Sequence, residues 1–445
     1  MQQKRSINLG WRGWMLALYQ FLAYIAFVVF TNWPMNALAD LYGGSQLVST
    51  VDSVGIVVGI IFQLIISRHI GRIKNIKVFS IMLGVITMVF SAGVMLIPPS
   101  MQTLWLVDFF LVSAVVTVWC TFSIGILIGQ WFPRRKGTVM GIVTFAFPIG
   151  NALLAPFATT VFATMATTHQ PNLLGGFMPY FILCCVGLLI GAVFVKDYPE
   201  QCGAYRDNDK TITPEVAKAM MEQEIENKKT TVWTLGHTLK SPDFWLITFP
   251  MGFLLFGSVG MMTQTASIIG SYGYGADSAE FGMIMMGVAV LACFGSWLLG
   301  VLDTKFGTKK AMIIAIVMMI LAGIFGAMGS FPTLIVALAC LAIFMGASSN
   351  FTVSGAVQYW RREDFPSVFA RVNPIANLIQ AVAPMIIATL VATINVQAAF
   401  IFVGCAGVLS LILLMLFKAN RVKAYDDKYR TEAGKPLDDA LVGRK

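Results

Sequence analysis

Twelve long apolar segments, separated by shorter polar ones, follow one another along this chain. Each has the roughly 20 apolar residues that an α-helix needs to cross about 30 Å of hydrocarbon. A soluble domain carries roughly 25% charged residues, whereas this chain is 12% charged and 57% hydrophobic. The pattern predicts an all-α integral membrane protein with helices near residues 13–37, 46–67, 78–98, 103–131, 138–165, 173–195, 243–270, 279–302, 310–329, 332–359, 367–393 and 397–418.

The positions of the basic residues indicate in which direction each helix crosses the membrane. The connections after odd-numbered helices contain no Lys or Arg, and all 31 cations lie in the N-terminus, the other connections, the tail or the adjoining helix ends. Loops rich in Lys and Arg stay in the cytoplasm. We therefore expect a multi-pass protein of the cytoplasmic membrane with both termini in the cytoplasm.

A polar segment in the middle of the chain divides the helices into two sets of six. We expect a six-helix bundle at 1–196, a cytoplasmic linker at 197–241 with a short amphipathic helix near Pro214–Lys228, a second six-helix bundle at 242–419 and a cytoplasmic tail at 420–445. Two pseudo-symmetric bundles with a substrate site between them are typical of secondary transporters.

Other classes of protein lack the motifs that they need. The chain has no nucleotide-binding P-loop, and its seven cysteines show no metal-ligand spacing. No Ser–His or Cys–His catalytic set is evident. We expect no enzyme activity, no metal or cofactor and no nucleic-acid partner. The expected partners are a small-molecule substrate and the lipid bilayer, with the protein a monomer.

Two loops resemble the signature of the major facilitator superfamily, in which a Gly, an acid, a second Gly and basic residues follow one another. The segment GVLDTKFGTKK, Gly300 to Lys310, carries this pattern with Asp303 displaced by one position. The related segment LIISRHIGRIKNIK has Arg68 in place of the acid. The resemblance covers the whole chain and implies the twelve-helix fold of that superfamily. Such loops hold neighbouring helices in one access state through charge pairs and helix dipoles.

A further motif resembles one branch of that superfamily. QWFPRRKGTVMG, Gln130 to Gly141, is similar to the oxalate:formate antiporter and monocarboxylate transporter branch, as are SPDFW and DYPEQCGAY. We expect Arg134, Arg135 and Lys136 to hold this turn in the cytoplasm. They are also expected to pair with acids of the opposite bundle when that side closes.

The chain departs from the branch where its members carry carboxylate-binding cations. By spacing from Gly300, the cation position in helix 8 falls near Ser296, and the position in helix 11 falls near residues 375–377, none of which is basic. Arg371 is the nearest cation and lies close to the cytoplasmic end of helix 11. Since a dianion stripped of water needs charge neutralisation, oxalate is not the expected substrate.

Two acids inside the predicted helices are candidates for proton coupling. Asp52 and Asp108 lie about two turns into helices 2 and 4, where burial disfavours a charged carboxylate. Asp52 shares one helix face with Gly55, Gly59 and Gln63. That face is either functional or a packing seam, and each acid is either a proton carrier or an outer-end cap.

Uncharged polar residues on several helices are candidates for substrate binding. A stripe on helix 11 suits cavity lining, with interhelical hydrogen bonding as the alternative. The substrate candidates are Tyr24, Asn32, Trp119, Gln264, Asn350, Asn373, Asn377 and Gln380. The gating candidates are Arg134, Arg135, Lys136, Asp303, Arg371 and the helix-bending Pro148 and Pro384, with Pro156 and Pro374 as further bends.

These features predict a secondary active transporter in which two bundles rock about a central site. The expected substrate is a small organic acid or related metabolite, moved by proton symport or exchange. A zwitterionic or neutral metabolite, with or without an aromatic group, is the alternative. A channel and a membrane sensor that transports nothing are the competing classes.

Overall fold

The computed structural model describes residues 8–67, 73, 75–228, 231–275, 278–361 and 363–437. Within these ranges eleven helices are long and apolar enough to cross a membrane, and one bent helix pair makes the twelfth. The twelve-helix fold is therefore confirmed. The helices are α1 (Trp11–Tyr42), α2 (Ser45–Ile66), α3 (Ile76–Leu96), α4 (Pro99–Trp131), α5 (Lys136–Thr168), α6 (Leu173–Phe194), α7 (Pro242–Thr263), α8 (Ala279–Phe306), α9 (Thr308–Ala327), α10 (Phe331–Met345 with Asn350–Tyr359), α11 (Phe365–Thr393) and α12 (Val396–Leu416).

The helices pack as two similar sets. In the first bundle α2 contacts α4 and α3 contacts α6, and in the second bundle the equivalent pairs α8–α10 and α9–α12 are in contact. Between the bundles, α2 packs against α11 and α5 packs against α8. Replacing each helix by its equivalent in the other bundle converts the α2–α11 contact into the α8–α5 contact, and the reverse. The two interfaces are therefore pseudo-symmetric, which is the arrangement that a rocking motion about a central site requires.

Several membrane helices are irregular near the middle of the fold. α1 contains a π-helical turn at Val28–Asn32, and α4 contains one at Val118–Ser123. Such turns are frequent at functional sites. The two halves of α10 meet at an angle of 41° across residues 346–349.

Three of the four predicted proline bends coincide with breaks. α5 is interrupted before Pro148 and again before Pro156, and α11 is interrupted at Val382, before Pro384. A proline has no N–H to donate to the carbonyl of the preceding turn, so the ladder breaks on its N-terminal side. Pro374 differs, because it lies inside the uninterrupted helix Phe365–Ala381.

Below, the two ends of the fold are called the basic end and the neutral end. The basic end carries Arg134, Arg135, Lys196 and Lys309. The predicted linker helix is present at this end as Pro214–Lys228.

The last part of the linker, residues 231–241, and the tail helix Ala419–Glu432 pack beneath the second bundle. The Trp233 indole N–H donates to Asp426 of the tail helix, at 2.9 Å. The Arg430 guanidinium pairs with Asp364 at the start of α11, at 2.7 Å. Both acids are nearly fully buried. This end of the linker and the tail helix are therefore part of the folded second half rather than free extensions.

Candidate substrate cavity

A small cavity lies between the two bundles at mid-height. Both bundles supply its walls, with helices α1, α4 and α5 on one side and α7, α10 and α11 on the other. The lining residues are Tyr24, Phe27, Thr121, Phe147, Leu255, Ser258, Val259, Met345, Ser348, Ser349, Thr352, Val353, Asn373, Asn377 and Gln380. None of these residues carries a charged side chain.

The two walls differ in chemistry. The first bundle contributes mainly aromatic rings, with Tyr24 and Phe147 at a centroid distance of 4.8 Å and Phe27 at 5.7 Å from Phe147. The second bundle contributes most of the hydroxyl groups and all three amides. A ligand in this cavity would meet an apolar surface on one side and hydrogen-bonding groups on the other.

Two long hydrogen bonds cross the cavity region from α11. The Asn377 amide donates to the Thr121 hydroxyl on α4 at 3.3 Å, and the Asn373 amide donates to Gln63 on α2 at 3.4 Å. Both distances are longer than the usual range of about 2.7–3.2 Å, so both hydrogen bonds are weak. Because each bond joins the two bundles, a ligand that took over the Asn373 or Asn377 amide would also change how the bundles are held together.

Glycine contacts close the basic end below the cavity. A Cβ atom on Gly300 of α8 would lie 2.8 Å from the carbonyl oxygen of Gly137 on α5, and one on Gly141 would lie 3.0 Å from that of Ser296. The Ser296 hydroxyl donates to the Gly141 carbonyl at 2.8 Å and contacts the Thr144 hydroxyl at 2.7 Å. Ser296, the helix 8 position considered above as a site for a cation, is thus part of a close helix contact.

The neutral end is closed by polar contacts between the bundles. The Gln264 amide donates to the Ser49 hydroxyl at 3.2 Å, and its oxygen accepts from Ser45 at 3.1 Å. The Asn36 amide donates to the Met262 carbonyl at 3.3 Å. Gln264 was a substrate candidate, but these contacts place it in the closure above the cavity.

With both ends closed, the cavity measures about 20 Å³. That volume holds about one water molecule. The structure is therefore an occluded state, and the bundles must separate before a metabolite can enter.

The three cations of the α4–α5 turn have different partners. The backbone N–H groups of Arg134 and Arg135 donate to the Asp207 carboxylate of the linker at 2.9–3.1 Å. The Arg134 side chain donates to Asp209 at 3.3 Å. Lys136 interacts electrostatically with Asp207 and also with Asp303 of the second bundle. Lys136 is thus within electrostatic range of an acid of the opposite bundle, whereas these contacts of Arg134 and Arg135 are to the linker.

The two remaining charged gating candidates, Asp303 and Arg371, also lie at the basic end. Asp303 is buried and accepts a hydrogen bond from the Thr308 hydroxyl at 2.6 Å. Arg371 donates to the Trp233 carbonyl at 2.6 Å and to the Thr238 hydroxyl at 2.8 Å. Arg371 therefore fastens the linker to α11 and is not a cavity-lining cation. The counterpart of the Asp303 loop, around Arg68, lies outside the described residues.

Asp52 lies in a helix seam rather than in the cavity. Its carboxylate accepts a hydrogen bond from the Ser113 hydroxyl of α4 at 2.7 Å. Cβ atoms on Gly55 and Gly59 would lie within 2.6 Å of backbone oxygens of α4. The small-residue face of α2 is therefore a packing surface. Gln63 extends it to the bundle interface, where it meets Asn373.

Asp108 and Trp119 also face the interior of the first bundle. The Asp108 carboxylate fills the space beside Gly93 of α3, where a Cβ atom would lie 2.3 Å from it. The Trp119 indole N–H donates to the Tyr19 hydroxyl at 2.8 Å. Neither residue lines the cavity, because the face of α4 that they share packs against α3.

Two more substrate candidates lie outside the cavity wall. Asn32 is buried in the π-turn of α1 and accepts from the Thr31 hydroxyl at 3.3 Å. Asn350 begins the second half of α10 and is 2% exposed, with neither amide atom hydrogen-bonded. Of the eight substrate candidates, Tyr24, Asn373, Asn377 and Gln380 line the cavity.

Sequence reasoning missed most of the other lining residues. Phe27 and Phe147 lie in apolar runs and have no distinguishing spacing. Ser348 and Ser349 belong to the segment GASSN, where α10 breaks. This cluster of small and polar residues inside an apolar run was a usable signal.

Fold and cavity together define a class of protein: a polytopic transporter in which two bundles enclose a central site. A family model of the Major Facilitator Superfamily matches residues 15–279 and 265–443. The chain therefore belongs to the major facilitator superfamily.

Solved structures show the same fold. The chain is similar to the proton:xylose symporter XylE bound to 6-bromo-6-deoxy-D-glucose, with a TM-score of 0.69 and 14% identity over 91% of this chain and 96% of that one. A double-tryptophan variant of XylE gives a TM-score of 0.64 and 15% identity, over 94% of this chain and 98% of that one. No curated protein sequence matches the chain.

Proposed function

We propose that this secondary transporter moves a small uncharged or zwitterionic metabolite with one polar and one apolar side. The observation that carries the proposal is the cavity lining, which combines aromatic rings of the first bundle with amides and hydroxyls of the second and has no charged side chain. Amides and hydroxyls offer both donors and acceptors to a polar group. An anion without a counter-charge would instead pay a large desolvation cost there.

The transport cycle follows from the contacts between the bundles. A substrate that enters from the neutral end first requires the Gln264 contacts to open. It would then replace the weak bonds that Asn373 and Asn377 make across the cavity. The glycine contacts of α5 and α8 separate last and release it at the basic end. The excess of Lys and Arg there supports a cytoplasmic location for that end in the cell membrane.

A small monocarboxylate is the second candidate. It is favoured by the QWFPRRKG segment, which resembles the monocarboxylate branch. The amide N–H groups of Asn373, Asn377 and Gln380 would have to solvate its carboxylate.

A ligand screen separates these two candidates. Matched compounds that differ only in charge, such as a carboxylic acid, its primary amide and the related betaine or amino acid, are added to the purified protein. We expect the neutral or zwitterionic member of a series to raise the melting temperature and the anion to leave it unchanged, because a ligand that binds only the folded state stabilises it. A series in which only the anion stabilises the protein would contradict the proposal.

Proton coupling is proposed to involve Asp52. Its carboxylate is 1% exposed and sits where α2 contacts both α4 and, further along, α11. A proton on Asp52 would therefore alter a helix that takes part in the bundle interface. We expect Asp52→Asn to abolish pH-driven accumulation in proteoliposomes and to spare counterflow exchange of the same substrate, since an amide can neither take up nor release the proton.

Two further variants accompany this measurement. Asp40→Asn removes an exposed acid at the same end of the fold and should leave both activities unchanged. Asp108→Asn tests the other candidate acid, and we expect this variant to reduce pH-driven accumulation as well. An Asp52→Asn protein with undiminished pH-driven accumulation would remove Asp52 from the coupling scheme.

A further inference from the structure

A second cavity lies on the outside of the first bundle, far from the substrate cavity. It is an open groove of about 430 Å³ between α3 and the end of α6. Its walls are Lys77, Val78, Ile81, Met82, Val85, Ile86 and Ala192. Val78, Met82 and Val85 are about half exposed. Because these side chains face outward from a membrane-spanning helix, the groove opens into the bilayer.

The length of the groove matches one leaflet. Lys77 and Ile86 are nine residues apart, and at 1.5 Å per residue their separation along α3 is about 13 Å. Half of a 30 Å hydrocarbon core is about 15 Å. The apolar positions follow the helical repeat, so they form one continuous stripe. The groove therefore runs from the membrane surface to about the bilayer centre, which is the path of one acyl chain.

Cations gather at the surface end of the groove. The Lys77 ammonium donates to the Ala192 carbonyl at 2.7 Å, which leaves two of its three N–H donors for other acceptors. The exposed Lys196 repels Lys77 electrostatically, and Asp197 attracts it. The Asp197 carboxylate also accepts from the backbone N–H of Lys77 at 2.7 Å. Lys77, Lys196 and Asp197 together carry one net positive charge, and an external anion would relieve the repulsion between the two lysines.

An exposed tryptophan indicates how deep Lys77 and Lys196 lie in the membrane. Trp11 is 58% exposed and packs against Phe194 at the end of α6, with a centroid distance of 5.8 Å. Arg12 lies over the Trp11 ring. Exposed Trp side chains are enriched at the level of the lipid headgroups. Lys77 and Lys196 therefore lie where a phospholipid headgroup would be.

We propose that this groove is a binding site for one phospholipid with an anionic headgroup. The phosphate and the anionic headgroup bind Lys77 and Lys196, and one acyl chain lies along Val78–Ile86 against Ala192. The site is independent of the transported substrate, so its test does not depend on the proposed function.

Native mass spectrometry tests the proposal with phosphatidylglycerol and phosphatidylcholine of identical acyl chains. We expect the full-length protein to retain one phosphatidylglycerol molecule in preference to phosphatidylcholine. Lys77→Gln with Lys196→Gln should weaken this binding about thirtyfold, and Lys196→Gln alone about fivefold. The single variant changes an exposed residue, so it keeps the test valid if the double variant does not fold.

A second variant and a matched control distinguish binding in the groove from non-specific attraction of anionic lipid to the protein. Ala192→Phe fills the groove without changing charge and should also reduce phosphatidylglycerol retention. Lys305→Gln with Lys310→Gln removes two exposed cations from the corresponding part of the second bundle and should retain it fully. Equal retention of the two lipids, or undiminished phosphatidylglycerol binding in both groove variants, would overturn the proposal.

Discussion

The variant Gly300→Leu is expected to hold the basic end open and to stop transport. In the occluded state Gly300 lies against the backbone of Gly137, and even a Cβ atom would be 2.8 Å from its carbonyl oxygen. Added side-chain volume in a packed contact costs about 1–3 kcal/mol. That cost falls only on states in which α5 and α8 touch, so the population shifts about fivefold to 150-fold towards states open at this end.

Spin labels across the basic end measure this shift. Labels on Arg134→Cys and Lys305→Cys report the separation of the bundles, in a background in which the seven native cysteines are replaced. We expect a longer distance in Gly300→Leu. The matched control is Gly287→Leu on the same helix, because a Cβ atom there meets no other atom within 4 Å. An unchanged distance in Gly300→Leu would show that this contact does not close the transporter.

The variant Asn377→Leu is expected to weaken ligand binding about fivefold to 150-fold. The change keeps a side chain of similar size and removes the only side-chain groups with which residue 377 can form hydrogen bonds. A buried polar group of the ligand left without its partner costs about 1–3 kcal/mol. The dissociation constant of a compound found in the charge-matched screen is the quantity to measure.

The neighbouring residue supplies the control for Asn377→Leu. Leu378 is 42% exposed on the outer side of α11, so Leu378→Ala should leave the dissociation constant unchanged. The Asn377 variant also removes the bond to Thr121, so the spin-label distance should lengthen slightly as well. Unchanged affinity in Asn377→Leu would exclude this amide from the substrate site.

The membrane helices were predictable because the bilayer imposes their pattern. Backbone polar groups cannot remain unpaired in hydrocarbon, so each crossing segment must be a long apolar helix. The number of helices, the linker helix Pro214–Lys228 and three of the four proline breaks follow from such local rules. The stripe of Asn373, Asn377 and Gln380 was predictable because helical periodicity places these residues on one face.

The partners of polar residues were less predictable. The face that begins at Asp52 had two interpretations, and only the position of α4 decides between them by placing Ser113 against the carboxylate. Gln264 was expected in the substrate site and instead bonds to Ser49 above it. A helical face can be read from spacing, but the helix that it meets depends on how the bundle is assembled.

The sequence by itself determined that the chain crosses the membrane twelve times, which connections between its helices are rich in cations, and which face of α11 is polar. These properties depend on residue type and local spacing. Only the tertiary structure decided that the cavity has an aromatic wall and an amide wall, that Arg371 binds the linker, and that glycines close α5 against α8. Those features arise where distant segments meet, and contact between the bundles depends on shape and distance rather than on local sequence pattern.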